Sequence, residues 1–243
     1  MTTVERLRAA GCVFAEEEAA LLEEAATSPE HLEELVTQRV GGLPLEHVVG
    51  WALFCGHRIV VTPGVFVPRH RTELLVDLAT DLKPAVIVDL CCGSGAVGAV
   101  LQHRLPDATV YAADIDPAAV ECARRNLTTV FEGDLFDALP QHLRGHIDVV
   151  VANVPYVPTE DIRFMPPEAR DHEARVALDG GEDGLDVLRR VAAQAATWLR
   201  PGGTLLSETS ERQAPAALAA FTAAGLTTTL VTSDDTNAVV GTR

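Results

Sequence analysis

The sequence predicts an α/β protein built on a doubly wound, mostly parallel sheet of seven strands. Three observations predict this class. Apolar strand segments alternate with helical segments from residue 85 to residue 224. One strand, 147–152, is almost continuously apolar, as expected when helices cover both faces of a sheet. A glycine-containing turn at 91–95 joins the first strand of the alternation to a helix, as in nucleotide-binding folds.

The segment 1–43 is predicted to be a short acidic helical region that precedes the sheet. One helix spans 16–26, and Ser28 caps a second helix whose first residue is Pro29. The sequence Gly-Gly-Leu-Pro at 41–44 ends that second helix. The first 40 residues hold nine glutamates and three arginines, and so carry -6 of the net charge of -16. This charge indicates either a solvated helical face or a surface that docks a partner.

The segment 44–68 is predicted to be a β-hairpin that links the helical region to the main domain. Three short apolar runs are separated there by glycine and proline: VVGWALF, HRIVV and GVFV.

The segment 69–243 is predicted to be the main domain, and its elements follow from apolar periodicity and breaker residues. In chain order they are a helix that ends at Asp81, strand 85–90, helix 96–104, strand 109–113, helix 117–126, strand 147–152, helix 186–199, strand 204–209, helix 212–224, and a final antiparallel pair at 227–231 and 238–242.

Composition excludes several classes of protein. The chain of 243 residues has 35 acidic against 19 basic residues, which argues against binding DNA or an anionic membrane surface. Its five cysteines form no C-x-x-C pair, so neither a disulfide framework nor a zinc site is predicted, and the eight scattered histidines predict no metal. With no apolar run of about 18 residues and no signal-peptide pattern, we expect a cytoplasmic protein.

Acidic residues lie at the carboxyl ends of the first two strands of the main domain, at the edge where ligands of such sheets bind. Asp89 lies in the first strand, directly before the turn 91–95. Asp114 ends the next strand about twenty residues further on, where a carboxylate can accept hydrogen bonds from ribose hydroxyls. The alternative for Asp114 is a helix cap, although Asp116 before Pro117 fits that role better.

The end of the third strand region supports an adenosyl ligand. Asp134 can accept a hydrogen bond from an adenine amino group, and the adjacent Leu135 can cover the ring; the alternative is a simple turn aspartate. No phosphate-binding glycine motif is present. An adenosyl group without phosphates therefore fits this edge best.

The most specific motif is Asn153-Val154-Pro155-Tyr156, directly after the fourth strand. With it, the sequence resembles S-adenosylmethionine-dependent methyltransferases that carry an N-P-P-Y motif, and among them the protein-glutamine methyltransferases that modify release factors and ribosomal proteins. The resemblance covers residues 40–242. The segments that carry it, in the family's order, are PLEHVVG, GVFVPRHRTELLV, VDLCCGSGAVG, ADIDPAAVECARRN, GDLFDALP, NVPYVPT, ALDGGEDGLDVLRRV and LRPGGTLLSETSERQ.

The resemblance implies a Rossmann-like methyltransferase domain that uses S-adenosyl-L-methionine. It implies that the Asn153 side-chain oxygen and the Val154 carbonyl each accept one N–H of a carboxamide, that Tyr156 packs on the amide plane, and that Pro155 stiffens the loop. Positioning then supplies most of the catalysis. The expected cofactor-binding residues are Asp89, Cys91, Gly93, Ser94, Gly95, Asp114, Ile115, Asp134, Leu135 and Asn153.

Departures from the family pattern leave the methyl acceptor open. Cys91 replaces the first loop glycine, which requires a negative φ at that residue. Val154 replaces a proline, the stretch at 68–73 reads PRHRTE, and the amino-terminal region is short. A protein resembling a release factor or a ribosomal protein is the expected partner. The alternatives are a small-molecule amine or amide, adenine in nucleic acid, which the net charge disfavours, and a protein that no longer catalyses methyl transfer.

Overall fold

The computed structural model describes residues 1–234 and 236–243. None of the helices in these ranges combines the length and apolar composition that crossing a bilayer requires. The helices are α1 Thr3–Ala9, α2 Ala15–Ala25, α3 Pro29–Val40, α4 Leu45–Val49, α5 Glu73–Asp81, α6 Ala96–Arg104, α7 Pro117–Ala123, α8 Pro167–His172, α9 Asp186–Trp198 and α10 Ala214–Ala223. The strands are β1 Trp51–Phe54, β2 His57–Val60, β3 Val86–Leu90, β4 Thr109–Asp114, β5 Val130–Glu132, β6 Ile147–Ala152, β7 Leu199–Thr209, β8 Thr227–Ser233 and β9 Thr236–Thr242.

The main sheet confirms the predicted fold class. Its seven strands run in the order β5-β4-β3-β6-β7-β9-β8, and β9 alone is antiparallel to its neighbours. The chain first builds outward from β3 through β4 to β5, and then crosses to β6 on the other side of β3. In such sheets a crevice opens at the carboxyl ends of the strands where the winding reverses, and ligands bind there. The topology therefore predicts a ligand site at the carboxyl ends of β3, β4 and β6.

Helices cover both faces of this sheet, which explains the continuous apolar run of β6. On one face, α9 and α10 bury Leu188, Trp198 and Phe221. On the other face, α5 and α6 bury Leu75 and Val100. A strand buried on both faces loses the alternation of polar and apolar residues, and residues 149–152 of β6 are all buried.

The predicted amino-terminal helices are confirmed, with Ser28 capping α3 and Pro29 in its first turn. These helices have a small core of their own. Arg39 of α3 is buried and pairs with Glu18 of α2 at 2.6 Å and with Glu168 of α8 at 2.7 Å. The buried Arg39 thus links the helical region by an ion pair to α8, which follows the Asn-Val-Pro-Tyr motif in the chain.

The hairpin is shorter than predicted. It consists of β1 and β2, whereas Val48 and Val49 belong to α4, which ends at Gly50 in a left-handed conformation. The apolar run at 64–67 forms one bridge to Glu173 rather than a strand. The strand β7 begins at Leu199 instead of residue 204, because Leu199 already pairs with Ile147 of β6. Apolar runs alone do not distinguish such cases.

Candidate active site

A cavity lies at the carboxyl ends of β3, β4 and β6, where the winding reverses. The structure brings all the predicted site residues except Gly95 to its wall: Asp89, Cys91, Gly93, Ser94, Asp114, Ile115, Asp134, Leu135, Asn153, Val154, Pro155 and Tyr156. Other residues of the wall were not predicted, among them Phe66, Arg69, Arg71, Thr72 and Arg190.

Gly95 supports the cavity from behind. It begins α6 with a φ of +76°, and a Cβ added there would lie 3.0 Å from Leu127 and 3.1 Å from Ala123. Only glycine combines this conformation with such close packing against the following helix. Gly95 therefore does not line the cavity. It allows the loop to pack closely against α7.

Cys91 has a φ of +55°, so the requirement for a negative φ at this residue is not met. A left-handed conformation costs a residue with a side chain about 1–2 kcal/mol. Leu135, on the neighbouring loop, also has a positive φ, of +50°. Strained backbone of this kind concentrates at functional sites, where the surrounding structure imposes it. Burial raises the pKa of the Cys91 thiol, which keeps it neutral.

Asp114 connects the two loops that follow β3 and β4. Its carboxylate accepts hydrogen bonds from the backbone N–H of Gly93 at 2.8 Å and of Asp116 at 2.9 Å. The cap of α7 is Asp116, which accepts from the N–H of Ala118 at 3.0 Å. Asp114 is therefore not the cap, and its carboxylate retains acceptor sites at the cavity wall. Burial raises the pKa of Asp114, and the two backbone hydrogen bonds oppose that rise.

Asp89 is 1% exposed and accepts one hydrogen bond, from the N–H of Gly98 at 2.9 Å. Burial, opposed by this hydrogen bond, raises the pKa of Asp89 to about 7. Between about pH 4, its ordinary value, and pH 7, the folded chain holds a proton that the unfolded chain releases. The free energy of unfolding contributed by Asp89 therefore falls as the pH rises through this range.

Replacing Asp89 by asparagine should remove this pH dependence, because the amide does not titrate and its oxygen can still accept from Gly98. We expect urea denaturation without cofactor to show a smaller loss of stability between pH 5 and pH 8 in Asp89→Asn than in the wild type. The difference in slope should reach at most about 1.4 kcal/mol per pH unit. Equal losses in both proteins would show that the folded carboxyl titrates near its ordinary pKa.

Asn126 ties the hairpin to the loop that carries Ser94. Its amide donates to the carbonyls of Val60 and Ser94, both at 2.9 Å, and its oxygen accepts from the N–H of Val60 at 3.0 Å. The link joins residues 66 positions apart, and sequence reasoning did not identify it. It makes the position of the cofactor loop depend on the hairpin.

Replacing Asn126 by alanine should lower the free energy of unfolding by about 2 kcal/mol, because the backbone groups of Val60 and Ser94 lose their partners. Asn237→Ala is the matched control, since the side-chain oxygen of Asn237 accepts an exposed hydrogen bond from the Thr232 hydroxyl. We expect that variant to lie within about 0.5 kcal/mol of the wild type. Equal stability of the two variants in urea denaturation would contradict the proposed link.

A glycine-rich loop supports the motif 153–156 from behind. Gly184 lies so close to the chain that an added Cβ would be 2.2 Å from the Tyr156 carbonyl. Gln213 donates to the carbonyls of Tyr156 and Asp183, both at 2.9 Å. The Asp183 carboxylate accepts from the N–H of Leu185 at 3.1 Å. The stretch 179–184 therefore fixes the backbone of the motif.

A network of hydrogen bonds centred on the buried Glu208 reaches the motif from the stretch 68–73. Glu208, at the end of β7, pairs with Arg71 at 2.6 Å and accepts from the Thr72 hydroxyl at 2.7 Å. Thr72 lies 3.3 Å from the Asn153 amide nitrogen, which donates to it. Arg71 and Glu208 both hydrogen-bond the Tyr156 hydroxyl. Burial and the Glu208 carboxylate raise the pKa of Tyr156 to about 12, so the phenol is neutral.

His70 lies outside this network. Its side chain is 81% exposed and hydrogen-bonds Glu73 at 3.0 Å. The neighbouring Arg69 points to the cavity wall, where its guanidinium lies 4.7 Å from the ring centroid of Phe66 and pairs with Glu173.

The residues of the cavity fit S-adenosylmethionine. Asp114 offers carboxylate oxygens for the ribose hydroxyls, and Asp134 beside Leu135 offers an acceptor and an apolar surface for adenine. A Cβ built on Gly93 meets only Phe66, at 3.9 Å, so the backbone of Gly93 faces the open cavity. Arg69 supplies a cation at the wall that can meet a carboxylate.

The chain is similar to known methyltransferases. A family model described as the methyltransferase small domain matches residues 56–170. A release factor glutamine methyltransferase of Geobacter sulfurreducens is 40% identical, and the match covers 79% of this chain and 69% of that protein. A 4-amino-L-phenylalanine/4-methylamino-L-phenylalanine methyltransferase of Streptomyces pristinaespiralis is 38% identical, covering 78% of this chain and 69% of that protein.

Among solved structures, a methyltransferase from Pyrococcus furiosus has a TM-score of 0.59 at 17% identity, with 77% of this chain and 89% of that chain covered. This similarity shows the fold alone. The match to the methyltransferase small domain spans residues 56–170, a range that contains the loops after β3 and β4 and the motif 153–156. The chain therefore belongs to the release factor glutamine methyltransferase family and is an S-adenosylmethionine-dependent methyltransferase.

Proposed function

We propose that this enzyme methylates the side-chain amide nitrogen of a glutamine in a protein. One observation carries the proposal. Within residues 1–234 and 236–243, neither the Asn153 side-chain oxygen nor the Val154 carbonyl accepts a hydrogen bond, although both residues line the cavity. Two adjacent free acceptors match the two N–H groups of a primary carboxamide.

The chain's contribution is to hold the acceptor nitrogen. A carboxamide nitrogen is a weak nucleophile because its lone pair is delocalised into the carbonyl. Acceptance of both N–H groups by Asn153 and Val154 fixes the nitrogen and directs its out-of-plane electron density across the cavity. S-adenosylmethionine, when bound, supplies a methyl group on a positively charged sulfur. The nitrogen becomes acidic once the new N–C bond has formed and then releases one proton to water, so no side chain has to remove that proton beforehand.

Two features support a protein as the acceptor. Several relatives are named release factor glutamine methyltransferase, a name that specifies a protein as the methyl acceptor. The acidic helices α1 to α3 are also fixed, through Arg39 and Glu168, to the segment beside the motif. An acidic surface in this position can meet a basic face of a substrate protein.

A small-molecule amine is the second candidate. The relative from Streptomyces pristinaespiralis is named for amino-phenylalanine substrates and is nearly as similar to this chain as the release factor enzymes are. An aromatic amine also presents two N–H groups to Asn153 and Val154.

Labelled methyl transfer separates the two candidates. Protein extract from cells that lack the enzyme is incubated with tritiated S-adenosylmethionine and the purified enzyme, and Asn153→Ala is the control. We expect a labelled protein band whose digestion yields methylglutamine. Label confined to the small-molecule fraction would favour the second candidate. No label in either fraction, with cofactor bound, would contradict both.

A further inference from the structure

The orientation of the Asn153 amide is controlled by a buried carboxylate at the end of β7. Glu208 is 3% exposed, and both of its oxygens are used. One oxygen receives Arg71 at 2.6 Å and the Tyr156 hydroxyl at 3.3 Å, and the other receives Thr72 at 2.7 Å. The Glu208 carboxylate pairs directly with the Arg71 guanidinium and accepts hydrogen bonds at both oxygens.

The hydroxyl of Thr72 has a single proton, and it donates that proton in a hydrogen bond to Glu208. The Thr72 oxygen can therefore only accept from its other neighbour, which is the amide of Asn153 at 3.3 Å. If the amide were rotated by 180°, its oxygen would face an oxygen without a proton to share. Thr72 is 3% exposed, so water does not replace the missing partner easily.

We propose that Thr72 and Glu208 are positioning residues that lock the amide nitrogen of Asn153 toward Thr72 and its oxygen toward the acceptor. This proposal rests on the proposed function of Asn153. The locked amide presents an acceptor and no donor, so the site selects a nitrogen that carries N–H groups. It disfavours a methyl acceptor that presents only lone pairs, because such a group needs the N–H donors that only the rotated amide would present to it.

Side-chain NMR tests the lock without knowledge of the acceptor. The chain has three asparagines, at 126, 153 and 237. Selective labelling with side-chain ¹⁵N-asparagine therefore gives three NH₂ signals, and Asn153→Ala identifies one of them. In Thr72→Val, which keeps the shape but lacks the hydroxyl, we expect the Asn153 signal to shift and its protons to exchange faster with water. Thr72→Ser should restore the wild-type signal.

Thr80→Val is the matched control, because Thr80 of α5 is a half-buried threonine whose hydroxyl binds its own helix, at the Val76 carbonyl. It should leave the Asn153 signal unchanged. An unchanged signal and unchanged exchange in Thr72→Val would overturn the proposal, since the amide would then not depend on Thr72.

Kinetics supply the second measurement, with the protein extract used above as the methyl acceptor. Thr72→Val should lower the transfer rate about tenfold, the effect of one hydrogen bond, and leave cofactor affinity unchanged. In the Asn153→Ala background the same substitution should have no further effect. Additive losses would overturn the lock, because Thr72 would then act independently of Asn153. Absence of transfer by the wild type would instead contradict the proposed function, while the NMR result still decides the lock.

Discussion

Replacing Asn153 by alanine should lower methyl transfer about a thousandfold and leave binding of S-adenosylmethionine within about threefold of the wild type. The substitution removes the free acceptor oxygen that fixes the nitrogen, and losses of this order follow the removal of one group that orients or stabilises the reacting atoms. Among the described residues, the amide hydrogen-bonds only Thr72, so we expect little change in stability.

Transfer of the tritiated methyl group into protein extract measures the rate, and isothermal titration measures cofactor affinity in the same preparation. If turnover stays within tenfold of the wild type, Asn153 does not hold the acceptor, and the Val154 carbonyl alone would have to orient it. If cofactor affinity falls together with turnover, the variant reports a damaged cavity rather than a lost contact with the acceptor.

Replacing Asp114 by alanine should weaken S-adenosylmethionine binding about a hundredfold. The carboxylate lies at the cavity wall and also holds the N–H groups of Gly93 and Asp116. Its loss removes the proposed acceptors for the ribose and releases both loops, and hydrogen bonds to a charged group are worth about 1.5–3 kcal/mol each. We expect a moderate loss of stability to accompany the loss of affinity.

Asp148 provides a close control for this experiment. It is also an aspartate on a parallel strand whose carboxylate accepts two backbone N–H groups, those of Ala85 and Val86, at 2.9 and 2.7 Å. It lies near the amino-terminal ends of the strands, away from the cavity. Asp148→Ala should reduce thermal stability and leave cofactor affinity unchanged. Equal affinities in the two variants would mean that Asp114 only supports the fold.

The fold and most of the cavity could be predicted because their signals are local. The central strands β3, β4 and β6 are short runs rich in apolar residues, and the order of such runs with helices determines the fold class. Asp89, Asp114 and Asn153 lie in the last two positions of strands that the sequence identifies, or directly after them. Since parallel strands bring their carboxyl ends to one edge, these residues meet in the cavity without further information.

Local signals were insufficient where a contact between distant segments determines the conformation. Cys91 adopts a left-handed backbone although it carries a side chain. The two residues after it are fixed by hydrogen bonds to β4: the N–H of Cys92 donates to the Ala113 carbonyl, and the N–H of Gly93 donates to the Asp114 carboxylate. Val48 and Val49 are helical although valine favours strands, and Leu199 joins β7 because Ile147 lies beside it. Tertiary contacts of this kind outweigh intrinsic propensity.

By itself, the sequence determined the fold class, the adenosyl-binding edge and the motif 153–156, since each depends on the order and spacing of residues along the chain. Only the tertiary structure brings Thr72 to the Asn153 amide and Glu208 to the Thr72 hydroxyl, although these residues lie 81 and 55 positions from Asn153. The reason is physical. The direction of a hydrogen bond depends on which partner supplies the proton, and that is known only once the buried neighbours are assembled around one another.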